Sequence, residues 1–174
     1  MLSNAYVATA LRFVVLVALQ VLVFAHVGEG TAWGPYAQVL LYPLVILLLP
    51  VGLPSIACVV LGFVVGSAVD VPLGTYGVHA GALVATAFAR RTVLGVLEPR
   101  EGYAVEQSPT RAAFGMRWFA TYAAVLMGVH CLTYFALETF TLVYLGEILL
   151  RALGSFGASM LLVLLYALVL DPKR

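Results

Sequence analysis

Residues 36–70 read YAQVLLYPLVILLLPVGLPSIACVVLGFVVGSAVD, and no Asp, Glu, Lys or Arg interrupts them before Asp70. A helix needs about 20 apolar residues to cross roughly 30 Å of hydrocarbon. This run is too long for one crossing, and Pro50-Val51-Gly52-Leu53-Pro54 divides it. Two helices joined by so tight a turn are antiparallel neighbours. The pattern predicts a short helix over 36–50, kinked at Pro43, and a second helix over 52–70.

The same composition extends in both directions. Further apolar runs predict helices at about 6–27, 77–95, 114–137 and 148–170. Only 10% of the 174 residues are charged, 63% are hydrophobic, and mean hydropathy is +1.07. A soluble domain carries about a quarter charged residues to keep its surface hydrated. The expected fold is thus an all-α integral membrane protein, with residues 1–174 forming a single transmembrane domain of six helices. Tyr6 to Val27 resembles a signal peptide, but it is long and has no clear small-residue cleavage site, so it reads as a retained first helix. Cys58 and Cys131 lie in apolar runs and read as small packed hydrophobes. A net charge of +1 gives no reason to expect nucleic acid as a partner.

Orientation follows from the arginines. Arg90, Arg91, Arg100, Arg111 and Arg117 flank or occupy the one substantial loop, about 96–113. With six spans, that loop, Arg12 and the basic end Lys173-Arg174 share one side, and only Arg151 falls on the other. The positive-inside rule then places both termini in the cytoplasm and the chain in the cytoplasmic (inner) membrane. Glu29, Glu138 and Glu147 mark the opposite face.

Several residues stand out against this background. Gly62, Gly66 and Asp70 are four apart and share one helix face, a small-xxx-small device that lets backbones approach closely. Gly77 and Gly81 repeat it around His79. Asp70 could cap the following turn, accept a hydrogen bond from His79, or face a partner or ligand. Gln20, near mid-helix, is expected to hydrogen-bond another helix. Glu147 and Arg151 are placed for an i, i+4 ion pair. Arg12 and Arg117 lie close enough to the cytoplasmic face to snorkel. The loop Glu98-Pro99-Arg100-Glu101-Gly102-Tyr103 reads either as a docking surface or as a solvated turn. No P-loop, HExxH or GxSxG motif, no His/Cys ligand set and no aspartate cluster is present, so neither an enzyme, a metal site nor a cofactor is expected.

Particular strings carry a resemblance. They are Leu11-Arg12-Phe13 with Leu19-Gln20, Tyr42-Pro43 through Leu49-Pro50, and Gly62 through Asp70 leading into Gly77-Val78-His79-Ala80. Glu98 to Tyr103, Gly115 to Trp118-Phe119, and His130 through Phe135 with Glu138 follow. In this order, across almost the whole chain, they resemble the rod shape-determining MreD family. The resemblance implies a non-enzymatic scaffold subunit of the bacterial wall-elongation complex, which helps maintain cell shape. It implies binding to MreC and, indirectly, association with MreB, RodA and a penicillin-binding transpeptidase, within membrane lipid. A homodimer stays open. Gly62, Gly66, Asp70, Gly77, His79 and Arg100 are the candidate partner-binding residues. The family is also similar to the S components of energy-coupling-factor transporters, with six helices around a central cavity. The alternative function is therefore a binder of a small vitamin or metabolite, to which Asp70, His79, Trp33 and Tyr36 could lend polar groups.

Overall fold

The computed structural model describes residues 2–169, with side chains described over 11–141 and 143–169. Lys173 and Arg174, read above as the basic cytoplasmic end, lie outside the described residues. Seven α-helices follow in order: α1 (Leu2–Leu22), α2 (Leu44–Leu47), α3 (Ser55–Leu73), α4 (Val78–Val96), α5 (Arg111–Phe114), α6 (Met116–Thr139) and α7 (Leu145–Val169). Among the described residues there is no strand. The five long helices fall within a few residues of the expected ones.

By length and composition, α3, α6 and α7 can each cross a membrane, and a shorter apolar helical stretch, Leu11–His26, begins in α1 and runs past its end. α4 is as long as α3 but spends His79, Thr86 and Arg90 on its buried face. These residues recur at the spacing of one helical stripe.

Local chemistry sets the ends. α3 runs through Pro72 and stops at Gly74, whose left-handed backbone (φ 67°) turns its N–H back to the Asp70 carbonyl. α4 starts three residues beyond Thr75, so α3 and α4 form a tight hairpin. Gly62 and Gly66 are its contact points. A Cβ on Gly66 would lie 2.3 Å from Ala80 Cα, and one on Gly62 would lie 3.1 Å from the Leu83 carbonyl oxygen. Small residues here let the two backbones touch.

The expected helix over 36–50 does not form. Residues 37–41 are non-helical, Tyr42 and Pro43 turn, and only Leu44–Leu47 coil into α2. Yet the segment is the centre of the core. Every residue from 39 to 49 is buried, and Tyr42, Leu44, Ile46 and Leu47 have no exposed surface. The physical reason is that other helices supply the partners that an intrahelical ladder would have supplied. Non-helical backbone so deep in an apolar bundle persists only where its N–H and C=O groups find such bonds.

Candidate functional site

The partners of that buried segment define the site. Gln20 on α1 donates from Nε2 to the Val39 carbonyl at 3.0 Å, and its Oε1 accepts from the Leu41 N–H at 2.8 Å. Its expected partner was another helix; it serves extended backbone instead. On α7, Ser155 and Ser159 accept from the N–H groups of Gln38 (2.9 Å) and Leu40 (2.8 Å). The Tyr122 hydroxyl of α6 donates to the Leu47 carbonyl at 3.0 Å and accepts from Arg90 Nε at 3.0 Å. Arg90 also donates from Nη2 to the carbonyls of Leu49 (2.5 Å) and Pro50 (3.2 Å). Four long helices thus hold one irregular segment by its backbone.

Beside it, α4 and α6 carry a buried polar line. Thr86 gives its hydroxyl proton to the Ala82 carbonyl at 2.8 Å and lies 3.0 Å from His130 Nδ1. Tyr42 lies 2.8 Å from His130 Nε2. This network assigns the proton to Nδ1, leaving Nε2 to accept from Tyr42. The Tyr42 and Tyr134 rings pack against His79, with centroids 5.5 and 4.9 Å away.

Asp70 ends the line beneath the α3–α4 turn. Its Oδ1 accepts from the Thr75 hydroxyl at 2.6 Å and the His79 N–H at 3.0 Å, and Oδ2 accepts from the Ala80 N–H at 2.9 Å. His79 Nδ1 stands 3.1 Å from Oδ1. Gly77, at the N-cap of α4, has no side chain to offer, so Asp70 satisfies the orphan amides of the first turn from across the hairpin. Of the readings open for Asp70, the cap and the His79 contact both describe its geometry.

The candidate partner-binding residues therefore separate. Gly62, Gly66, Asp70 and His79 are buried between elements of this chain, whereas Gly77 and Arg100 are exposed. The aromatics named for a ligand pocket stand apart from Asp70 and His79. Trp33 is 52% exposed, and the Tyr36 ring lies 6.0 Å from the Arg151 guanidinium. Arg151 pairs with Glu147 at 2.6 Å, as the spacing predicts, and reaches Glu138 at 3.7 Å.

At the loop end, Tyr103 and Trp118 donate to the Leu94 (2.9 Å) and Leu97 (2.7 Å) carbonyls, satisfying the last turn of α4. Burial and the nearby Glu98 carboxylate raise the Tyr103 phenol above its usual pKa. Tyr103 thus packs inward, while Arg100 and Glu101 face out.

Sequence reasoning missed Arg90, Tyr122, Thr86, Ser155 and Ser159. Arg90 read as a loop-flanking charge, but it is 3% exposed and fully engaged. Polar side chains at helical spacing on the inner faces of apolar helices were the available signal. Among the described residues, Arg151 Nε is the only buried side-chain nitrogen or oxygen without a partner. No three His, Cys, Asp or Glu side chains converge there as a metal would require. The chain matches no family model, no curated protein and no solved structure.

Proposed function

We propose that this chain is a non-enzymatic scaffold subunit of the bacterial wall-elongation complex, similar to MreD. It threads the cytoplasmic membrane six times, the buried 38–50 segment serving as the second pass, with both termini inside. One observation weighs most: the centre of the bundle is occupied by the chain itself. A small-molecule binder of the S-component kind needs a cavity where Tyr42, Leu44, Ile46 and Leu47 are packed without exposed surface. The interior polar groups are spent on the backbone of that segment and on one another. Interaction then belongs to the outside. Gly77 at one end and Arg100 at the other remain accessible, and an open apolar groove of about 450 Å³ runs between α1 and α7 past Arg12. In hydrocarbon a partner helix is chosen by close packing and a few polar contacts, because apolarity alone selects nothing.

The test is purification in mild detergent from a host that also makes MreC. Stoichiometric retention of MreC, with rounding of cells that lack this chain, is the expected result. A copurifying vitamin-like metabolite without MreC would overturn the reading in favour of a transport subunit.

A further inference from the structure

At the loop-bearing end a cleft of about 430 Å³ opens among the 51–55 turn, the last turns of α4 and the start of the loop. Arg90 walls it from behind and the exposed Arg91 stands at its edge. All the bonds of Arg90 go to neutral acceptors: the Tyr122 hydroxyl, the Leu49 and Pro50 carbonyls, and the Cys58 sulfur at 3.7 Å. Among the described residues no carboxylate forms an ion pair with either arginine. Dipoles orient a guanidinium but do not cancel its charge, and an uncancelled buried charge is costly.

Two further features have the same sign. α3, a 19-residue helix, begins at this cleft through Pro54 and Ser55, and no side chain caps its first turn. Its free amides and dipole favour an anion. Glu98 is the acidic residue on the cleft, but its Oε1 leans toward the loop, 3.8 Å from where a Cβ on Gly102 would stand. Leu53 and Leu94 give the remaining wall an apolar character.

We infer that this cleft binds a phosphate-ester anion, gripped by Arg91 at the edge and drawn by the unneutralised Arg90 and the α3 N-terminus behind it. A guanidinium fork matches phosphate oxygens, and the volume admits the phosphate together with its ester carbons against Leu53 and Leu94. The cleft lies at the end of the apolar helices, where lipid phosphates would stand if α3 and α4 cross a membrane. An anionic phospholipid headgroup and a soluble phosphate ester share this chemistry. The inference does not depend on the partner proposed above.

The full chain, delipidated in a neutral maltoside, is titrated with phosphatidylglycerol, phosphatidylcholine or inorganic phosphate at constant ionic strength. Native mass spectrometry counts the bound lipid, and thermal denaturation reports phosphate. One saturable phosphatidylglycerol site, clearly preferred over phosphatidylcholine, is the expected result and identifies a lipid source. A saturable rise in the denaturation midpoint with inorganic phosphate, which displaces phosphatidylglycerol, supports the site and identifies a soluble source. Arg91→Gln should weaken the bound species by on the order of fivefold, the value of one basic residue near a headgroup. Glu98→Gln should tighten it, and this exposed substitution decides the matter if Arg91→Gln does not fold. Equal retention of both lipids with no response to phosphate overturns the inference, as does unchanged affinity in the folded variants.

Discussion

Tyr122 shows how much one hydroxyl carries in this interior. Its ring stacks on Trp118 at 5.1 Å and 17°, while its oxygen joins Arg90 to the Leu47 carbonyl. Tyr122→Phe keeps the ring and removes both bonds, leaving a buried guanidinium N–H and a buried carbonyl unpaired. Each orphan costs about 1–3 kcal/mol, so chemical denaturation in mild detergent should show a loss of about 2–4 kcal/mol, allowing for partial relaxation. Tyr144→Phe, on a 57% exposed side chain, should change stability by less than about 0.5 kcal/mol. Equal stabilities for the two variants would mean that the 38–50 backbone is held by something other than these side chains. The same logic explains why Asp70 is tolerated at 5% exposure: three donors meet it, two of them fixed backbone amides at the start of α4.

Among the elements, the α3–α4 hairpin has little slack. Gly66→Ala would set a Cβ 2.3 Å from Ala80 Cα and 2.6 Å from its nitrogen. The obstacle is backbone, which cannot rotate away, so the helices must part and the Asp70 cap must loosen with them. A cost of about 3 kcal/mol, at the upper end for overpacking, is expected. Gly128→Ala on α6 meets nothing within 4 Å and should stabilise by about 0.5–1 kcal/mol through helix propensity alone. Thermal denaturation of the two variants should move in opposite directions; a common direction would refute the close approach of α3 and α4. This hairpin was legible in the sequence, since its glycine spacing, its turn and Asp70 all lie within about one helical hairpin. The irregular 38–50 segment was not. Leu40 to Leu49 has the composition of a helix, and Pro43 suggested only a kink. What holds it in this irregular path comes from Gln20, Ser155, Ser159, Tyr122 and Arg90, spread across the whole chain. Only Gln20 stood out by itself, and the pairing of all five with particular carbonyls and amides is information that no local window contains.

On the scale of the molecule, the two ends of the bundle differ in charge and in chain connections. At one end the Val51 and Gly52 amides bond to the Gln107 and Val105 carbonyls, at 2.9 Å each, tying the turn before α3 to the arginine-bearing loop. The turns after α3 and α6 emerge at the other end, where Tyr76 and Phe140 are held with positive φ and exposed at 98% and 86%. Bulky residues seldom adopt that backbone, so these turns are fixed features suited to carrying an aromatic into the membrane interface. If charge bias sets the orientation, the arginine loop faces the cytoplasm and both aromatic turns face outward. Native Cys58 and Cys131 are buried, so single cysteines introduced at Tyr76, Phe140 or Glu106 should report without background. An impermeant maleimide added to intact spheroplasts should mark Tyr76→Cys and Phe140→Cys, and Glu106→Cys only after lysis. The opposite pattern would invert the orientation while preserving the number of passes. Marking of Tyr76→Cys without Phe140→Cys, or the reverse, would separate the two aromatic turns across the membrane and rule out the six-pass path altogether.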